Sequence, residues 1–255
     1  MVKVGVIGGS GLEDSNLFTE AREITVHTPY GAPSSPLACG KLKAAEVVML
    51  ARHGRQHQLS PSQVNYRANV HALKSQGVTH ILATTACGSL REAIGRGDLV
   101  VLDQFIDMTR RRENTFFDSF EDGTHHVSMA DPFDGHLRKA LLEAATDLKL
   151  RVHDGGTVVT IEGPRFSSKA ESSMFRIWGA DVINMSIATE AILANESGMP
   201  YAAVAMSTDY DCWREDEAPV TWDEILAVFK RNASNVEKLL LSTIPKIERG
   251  ADNGS

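Results

Sequence analysis

The chain opens with Val2-Lys3-Val4-Gly5-Val6-Ile7, a β-branched run that is followed at once by the turn Gly8-Gly9-Ser10-Gly11-Leu12. A short apolar run that ends in such a turn is typical of a buried strand in an α/β sheet. Glycines let backbone N–H groups approach an anion closely, and Ser10 adds a hydroxyl donor. This stretch therefore predicts a core strand whose carboxyl end either binds an anion or simply turns tightly into a helix.

Strand-like and helix-like runs alternate along the rest of the chain. The predicted strands are Val2–Ile7, Val47–Ala51, His80–Thr84, Leu99–Leu102, Thr157–Ile161, Val182–Met185 and Tyr201–Met206. The predicted helices are Asn65–Gln76, Leu137–Leu148, Ala188–Ser197 and a last helix that begins after the capping residue Thr221. The Pro- and Gly-rich segment Thr28–Gly40 is predicted to be a surface loop. This alternation predicts an α/β fold with a central mixed β-sheet flanked by α-helices.

Composition limits the classes of protein to which the chain can belong. No linker, repeat or low-complexity tract interrupts the 255 residues, so we predict one domain over residues 1–247 and a flexible C-terminal tail, Glu248–Ser255. The formal net charge of −7 argues against a nucleic-acid partner. The sequence has no apolar run of 18 residues and no secretory signal at its N-terminus, so we expect no membrane association. Three widely spaced cysteines predict neither disulfides nor a zinc site, which favours the cytoplasm.

Two further segments at predicted strand ends carry groups that suit an anion. Arg52 can hold a phosphate through two hydrogen bonds, and His53 beside it can add another. In the segment Thr84–Leu90, the Thr85 hydroxyl and the Ala86 N–H are suitable donors. Each segment alone fits a polar loop, or a loop of small residues crossing the sheet, equally well or better. Three such segments together predict a site for a reacting phosphate.

Familiar cofactor and metal motifs do not fit these segments. A dinucleotide fingerprint that starts at Gly9 would need glycine at position 14, where the chain has Asp14. No Gly-Lys-Ser/Thr follows for a nucleoside triphosphate loop, and Leu12 stands where a nucleophile elbow needs glycine. His53 and His57 have the spacing of a metal pair, but a glycine separates them and a third ligand is missing. We therefore expect neither an organic cofactor nor a metal.

Taken together, these motifs resemble the purine nucleoside phosphorylase / methylthioadenosine phosphorylase family. The resemblance runs from Lys3 to about Pro245. It includes the segments Asp103–Asp107, Thr160–Ser168, Trp178–Met185 and Ser207–Trp213. It implies phosphate-dependent cleavage of a nucleoside, with inorganic phosphate as co-substrate and no cofactor. It also implies a homotrimer, or a dimer of trimers, with active sites near subunit interfaces.

The resemblance assigns roles to individual residues. The phosphate ligands that it implies are Ser10, Arg52, His53, Thr85 and Ala86. The nucleoside contacts that it implies are Phe166, Met185, Ser186, Asp209 and Asp211. The 5′ pocket that it implies is lined by Trp222, Ile225 and Leu226, together with His126, which matches the family's contact from a neighbouring subunit. The family often has Thr in place of Ser10 and Ser186, and smaller apolar residues in place of Trp222.

The chemistry of nucleoside cleavage explains why carboxylates would be needed. Positive charge grows on the sugar and negative charge on the departing base, and a protonated carboxyl near purine N7 can neutralise the base. Asp209 is the candidate acid. Asp211, two residues on, would share its face in an extended segment and accept a hydrogen bond from the 6-amino group of adenine. An Asp-x-Asp pair alone fits a turn or a surface pair equally well.

These assignments predict that the chain cleaves 5′-methylthioadenosine with phosphate into adenine and 5-methylthioribose 1-phosphate. The close alternative is a phosphorylase that prefers methylthioinosine or other 6-oxopurine nucleosides. Alternatives of other classes are a nucleotide-binding oxidoreductase, a nucleoside hydrolase and a non-catalytic nucleoside-binding protein.

Overall fold

The structure is a computed structural model that describes residues 2–8, 19–121, 123–214 and 221–252. Within the last range, the side chains at positions 222, 225, 226, 229, 231 and 248–252 are outside the description. The predicted anion turn around Ser10 lies outside the described residues, so its role stays a prediction.

The described residues contain eleven strands and five helices. The strands are β1 (Lys3–Gly8), β2 (Thr19–Ile24), β3 (Leu37–Leu42), β4 (Ala45–Ala51), β5 (His80–Ser89), β6 (Leu99–Val101), β7 (Gln104–Met108), β8 (Val152–Asp154), β9 (Thr157–Ile161), β10 (Val182–Asn184) and β11 (Tyr201–Tyr210). The helices are α1 (Tyr66–Ser75), α2 (Gly135–Asp147), α3 (Lys169–Ile177), α4 (Ile187–Glu196) and α5 (Trp222–Asp252).

The sheet is mixed, and it forks at the long strand β5. On one side, β11 runs parallel to β5 along nearly its whole length. On the other side, β1 pairs in parallel with residues 80–83, whereas β10 pairs antiparallel with residues 88–89. The ladder on this side is therefore interrupted between residues 83 and 88. A gap of this kind at the end of parallel strands is where α/β proteins bind ligands.

Alternation along the central strands creates one apolar core on each face of the sheet. In β5, Ile81 and Ala83 face one core, which contains buried residues of α1 and α4. Leu82 faces the other core, which contains buried residues of α2 and α5. Successive strand residues point to opposite faces, so strands buried on both faces are apolar throughout. The predicted arrangement of one mixed sheet flanked by helices is confirmed.

All four predicted helices are present, and three of them, α1, α2 and α5, begin at a side-chain cap. Asn65 accepts a hydrogen bond from the Ala68 N–H and caps α1, whose Tyr66, Val70 and Leu73 are all buried as predicted. The capping box at the start of α5 is also present, since Thr221 and Glu224 exchange hydrogen bonds.

The structure corrects several local predictions. The predicted surface loop Thr28–Gly40 includes the start of β3, where Leu37 is fully buried because β3 pairs with both β2 and β4. Strands β5 and β11 continue beyond their predicted ends, to Ser89 and Tyr210, because they pair with each other along their length. Helix α5 remains helical to Asp252, beyond the predicted end of the domain at residue 247. The division into a domain and a tail stays a prediction.

Candidate active site

A cavity of about 580 Å³ lies at the fork of the sheet. Nine of the predicted site residues line it: Arg52, His53, Thr85, Ala86, Phe166, Met185, Ser186, Asp209 and Asp211. They come from five separate parts of the chain, and the paired strands bring them together. Arg52 and His53 follow β4 as predicted. Thr85, Ala86 and Asp209 lie within strands rather than in loops, because β5 and β11 are longer than predicted.

Arg52 lies at one end of the cavity in a buried ion pair with Glu190 of α4. Its Nε donates to Glu190 Oε1, and its Nη2 donates to Oε2 over 2.9 Å. Its Nη1 donates to the Thr84 carbonyl over 2.8 Å. The Tyr201 hydroxyl completes the set by donating to Glu190 Oε2 over 3.0 Å. A guanidinium has five N–H groups, so two remain that these three bonds do not use.

His53 lies beside Arg52 and is held by its backbone surroundings. Its Nδ1 lies 2.9 Å from the Leu59 carbonyl oxygen, which can only accept, so Nδ1 carries the proton. Burial, and then the charge of Arg52, lower the pKa of His53 to about 4. The ring is therefore neutral at neutral pH, and Nε2 is a hydrogen-bond acceptor. The same two causes lower the pKa of His57, whose ring centre lies 4.6 Å away.

Thr85 and Ser186 place hydroxyl groups at the same end. Asn184, at the end of β10, donates from Nδ2 to Thr85 Oγ1 over 3.4 Å and is itself held by the Thr160 hydroxyl. Ser186 is the residue before the first turn of α4, and its side chain makes no capping hydrogen bond to that helix. Free N–H groups and the helix dipole make a helix N-terminus favourable for anions. The Arg52 end of the cavity therefore has the features of an oxyanion site.

Asp209 lies near the end of β11, beside the end of β5, and Asp211 follows just after β11. Both are more than nine-tenths buried. Asp209 Oδ1 accepts from the Thr208 hydroxyl over 2.7 Å, and Asp211 Oδ2 accepts from the Ser167 hydroxyl over 2.8 Å. The two strands change register between Ser207 and Asp209, and both carboxylates line the cavity, which agrees with the predicted shared face.

Gly88 of β5 makes room for the Asp209 carboxylate. A Cβ atom at this position would lie 3.3 Å from Asp209 Oδ2 and 3.1 Å from Ile183 Cγ2. The carboxylate therefore packs against the bare backbone of β5. Thr84, which contacts Arg52, is four residues earlier on the same strand. At about 3.3 Å per residue, the guanidinium and carboxylate ends are roughly 13 Å apart along β5.

An apolar wall connects the two ends of the cavity. Met185 packs on Gly163, where an added Cβ would lie 2.5 Å from the Met185 sulfur. Pro164 and Phe166 continue this wall, and Phe166 is 45% exposed. The cavity thus has a cationic, hydroxyl-rich end, an apolar middle and a carboxylate end.

The predicted 5′ pocket is not tested by this geometry. His126 is exposed on the segment after β7 and packs edge-on against Phe120, with ring centres 5.4 Å apart, and it does not line the cavity of its own chain. The side chains of Trp222, Ile225 and Leu226 lie outside the described residues. These four contacts stay predictions.

Comparisons with known proteins decide the family. The sequence profile described as the phosphorylase superfamily matches residues 3–245. The chain belongs to this superfamily. An S-methyl-5′-thioadenosine phosphorylase of Xenopus tropicalis is 55% identical over 250 residues, which are 96% of this chain and 89% of that protein.

Solved structures agree with the sequence comparison. A methylthioadenosine phosphorylase from Schistosoma mansoni in complex with adenine superposes on this superfamily member with a TM-score of 0.93 and 43% identity, covering 98% of this chain and 93% of the other. A mutant of the adenosine/methylthioadenosine phosphorylase from the same organism, in complex with methylthioadenosine, has a TM-score of 0.90 and 42% identity, with coverage of 98% and 92%.

Sequence reasoning missed several residues that support the site of this superfamily member. Glu190 is a fully buried carboxylate in an apolar helix, and an acidic residue within Ile187–Leu193 is a signal that could have found it. Helix α3 was also missed, although the Ser-x-x-Glu pattern of Ser168 and Glu171, which form a capping box in the structure, predicts a helix start. No sequence pattern distinguishes Arg112, because it is the third of three consecutive arginines.

The described part of the chain has neither a metal-binding cluster nor a helix suited to spanning a membrane. No group of three or more His, Cys, Asp or Glu side chains there is arranged to hold a metal ion. None of the helices described there is both long enough and apolar enough to cross a bilayer.

Proposed function

We propose that this chain catalyses the phosphate-dependent cleavage of 5′-methylthioadenosine to adenine and 5-methylthioribose 1-phosphate. The observation that carries the proposal is the single cavity with an oxyanion end and a buried carboxylate end about 13 Å apart along β5. Such a cavity suits a phosphate, a sugar and a base placed in line. The names of its relatives, more than half identical over nearly the whole chain, support the same activity.

Phosphate occupies the Arg52 end in this mechanism. The proposed donors are the two remaining guanidinium N–H groups, the Ala86 N–H and the Thr85 hydroxyl, which turns to the anion from the Ala86 carbonyl, 2.9 Å away. Ser10 is proposed to add another donor, and Ser186 is proposed to contact the nucleoside. His53 is neutral and carries its proton on the nitrogen that faces Leu59. Its Nε2 can therefore accept the hydrogen of a monohydrogen phosphate rather than donate to it.

The base occupies the carboxylate end. A phosphate oxygen bonds to C1′ while the C1′–N9 bond breaks, and its electron pair leaves with the base. Asp209, protonated, gives its hydrogen to purine N7 and so neutralises the departing base. Asp211 accepts from the 6-amino group with the oxygen that Ser167 leaves available, and an ionised carboxylate repels a 6-oxo group. Met185 and Phe166 contact the sugar and base through the apolar wall.

The proposal extends to assembly and location. We place the methylthio group against Trp222, Ile225 and Leu226, with His126 contributed by a neighbouring subunit of a homotrimer or a dimer of trimers. The reaction uses inorganic phosphate and needs no cofactor. Three free cysteines suit a reducing cytoplasm.

An assay of base release tests the activity. Purified protein is mixed with 5′-methylthioadenosine, adenosine or methylthioinosine, each with and without phosphate. We expect adenine from methylthioadenosine only when phosphate is present. Release without phosphate would make the protein a hydrolase, and faster cleavage of methylthioinosine would favour the 6-oxopurine alternative.

Substitution of the carboxylates tests the mechanism. We expect Asp209→Asn to lower kcat on methylthioadenosine by at least about tenfold, equivalent to about 1.4 kcal/mol, because an amide cannot donate the proton that the base needs. The matched variant Asp211→Asn keeps the acid and should instead reduce the preference for methylthioadenosine over methylthioinosine. An unchanged kcat in Asp209→Asn would remove this residue from the mechanism.

A further inference from the structure

Arg112 is a buried arginine outside the cavity. It follows β7 in the run Arg110-Arg111-Arg112, in which the first two side chains are exposed and the third is 2% exposed. Burying a guanidinium is costly unless its donors are paired. The groups that accept hydrogen bonds from Arg112 therefore indicate which part of the structure its burial stabilises.

The Arg112 donors converge on the backbone that carries the apolar wall. Its Nη2 donates to the Glu162 carbonyl over 2.7 Å and to the Met185 carbonyl over 3.1 Å. Its Nε donates to the Glu162 carboxylate over 3.0 Å. Its Nη1 donates to the Tyr66 hydroxyl over 2.6 Å. One side chain thus ties together the residues after β9, the residue after β10 and the start of α1.

These contacts hold the wall between the two ends of the cavity. Met185 connects β10 to the first turn of α4, so fixing its carbonyl orients the side chain that packs on Gly163. Fixing the Glu162 carbonyl positions the segment that continues into Pro164 and Phe166. None of these four hydrogen bonds of Arg112 goes to a proposed phosphate ligand.

Glu162 extends the network to the segment of Pro61, which packs beside Met185 at Gly163. Its carboxylate accepts the backbone N–H groups of Arg110 and Arg111 and the hydroxyl of Ser62, next to the wall residue Pro61. Burial by itself would raise the pKa of Glu162, but these hydrogen bonds and Arg112 lower it to about 2. The pair is therefore ionised throughout the neutral pH range.

Tyr66 completes this network. Its hydroxyl lies 3.2 Å from the Pro61 carbonyl, to which it can donate while it accepts from Arg112. Burial raises the pKa of Tyr66 to about 12, so the hydroxyl keeps its proton. The carbonyls of Met185 and Pro61, whose side chains meet at Gly163, are thus both fixed to one guanidinium, the second through Tyr66.

We propose that Arg112 is a positioning residue for the nucleoside: it holds the backbone of the Met185–Phe166 wall, beside which Pro61 packs at Gly163, without touching the substrate. This inference rests on the proposed function, because it assumes that the nucleoside occupies the middle of the cavity. Arg112 therefore controls nucleoside binding and turnover, and it leaves phosphate binding unchanged.

The test compares Arg112→Lys with a matched control. Lysine keeps the charge but cannot reach two carbonyls, a carboxylate and a hydroxyl at once. We expect the KM for methylthioadenosine to rise about tenfold or more, the scale of one lost charge-assisted hydrogen bond, while the KM for phosphate stays within about twofold. The control is Arg138→Lys, since Arg138 also donates to a carbonyl and a carboxylate, those of Leu102 and Asp154, but does not line or support the cavity. Both KM values of the control should match the wild type.

A milder variant keeps the test decisive if Arg112→Lys fails to fold. Tyr66→Phe removes only the hydroxyl, so it should raise the KM for methylthioadenosine by less than Arg112→Lys does. The KM for phosphate should again stay unchanged. Unchanged nucleoside KM, or an equal rise for both substrates, would overturn the positioning role while leaving the proposed function intact. A wild-type protein that releases no adenine would overturn the proposed function, and this inference with it.

Discussion

The guanidinium of Arg52 and the carboxylate of Glu190 are each only 1% exposed, so their charges are balanced almost entirely by each other. Burial alone would lower the pKa of Arg52, but the Glu190 carboxylate raises it above its ordinary value. Removing one partner of such a pair is strongly destabilising because the other charge is left without compensation. The pair therefore serves stability and also fixes the direction of the two N–H groups that remain for phosphate.

We predict that Glu190→Gln lowers the free energy of unfolding by about 3–5 kcal/mol without phosphate. Added phosphate should restore more stability to this variant than to the wild type, because the anion would replace the lost counter-charge. Thermal unfolding with and without phosphate measures both effects. In the control Tyr201→Phe, Glu190 loses one hydrogen bond and keeps its charge, so the loss should be only about 1 kcal/mol. Equal phosphate stabilisation in all three proteins would contradict the proposed anion site.

His53 should make stability depend on pH on the acid side. Its pKa falls from an ordinary value near 6.5 to about 4 in the fold, so below about pH 6.5 the unfolded chain binds a proton that the folded chain does not. Stability is therefore lost as the pH falls from about 6.5 to about 4. Between about pH 7.5 and pH 5, the wild type should lose about 2 kcal/mol more than His53→Gln.

Urea unfolding at the two pH values checks the His53 prediction. The variant His27→Gln is the matched control because that histidine is exposed and has no proposed role, and it should follow the wild type. If the wild type and His53→Gln lost the same free energy of unfolding between the two pH values, His53 would be protonated in the folded protein.

Among the secondary-structure elements, helix α3 has a capping sequence that positions residues at the nucleoside end of the cavity. Ser168 and Glu171 cap its first turn, and the residues just before the cap are Phe166 and Ser167. Ser167 orients Asp211, and Phe166 lines the wall. A helix of nine residues depends on its cap and on packing, since short helices are marginal alone. The start of α3 therefore fixes where two of the nucleoside contacts lie.

We predict that Ser168→Ala costs about 1 kcal/mol, the usual value for a lost N-cap, and lowers Tm by about 2–4 °C. The KM for methylthioadenosine should rise more than the KM for phosphate, because only the nucleoside end is loosened. Calorimetry and steady-state kinetics provide the two measurements. Asp134→Ala removes the equivalent cap of α2, which does not line the cavity, and serves as the control. If the two variants changed the KM for methylthioadenosine equally, the start of α3 would have no special role in nucleoside binding.

At the scale of the whole molecule, the fork at β5 decides where chemistry can occur. Helices pack on both faces of the central strands in the described part of the chain, and the cavity lies where the ladder opens between β1 and β10. The segment after β7 exposes Phe120 and Val127, which are 50% and 41% accessible. Exposed apolar side chains of this size suit contact with another subunit.

We predict that the protein sediments at about three times the chain mass of 27.8 kDa, or at twice that again for a dimer of trimers. His126→Ala should leave this mass unchanged and raise the KM for methylthioadenosine, because the partner's histidine would no longer close the 5′ pocket. Sedimentation velocity and kinetics measure the two properties. A fully active monomer would contradict the assembly that we propose.

The sequence alone determined the fold class and nine of the residues that line the cavity. Periodicity placed the central strands and four helices, because apolar patterns and caps act over a few neighbouring residues. The resemblance to a family supplied Phe166, Met185 and the two aspartates, which no local pattern could distinguish from core or turn residues.

Only the tertiary structure decided how these residues are supported. The burial of Leu37 depends on pairing between strands. Glu190, which forms the ion pair with Arg52, lies 138 residues away along the chain. Arg112 and Arg110 are the same residue type, and only their tertiary surroundings make one side chain buried and the other exposed. Local propensity is a property of adjacent residues, whereas compensation of a buried charge depends on groups that are distant along the chain. The places of nine cavity residues could thus be predicted from sequence, but the network that supports them could not, and the anion turn around Ser10 stays a prediction.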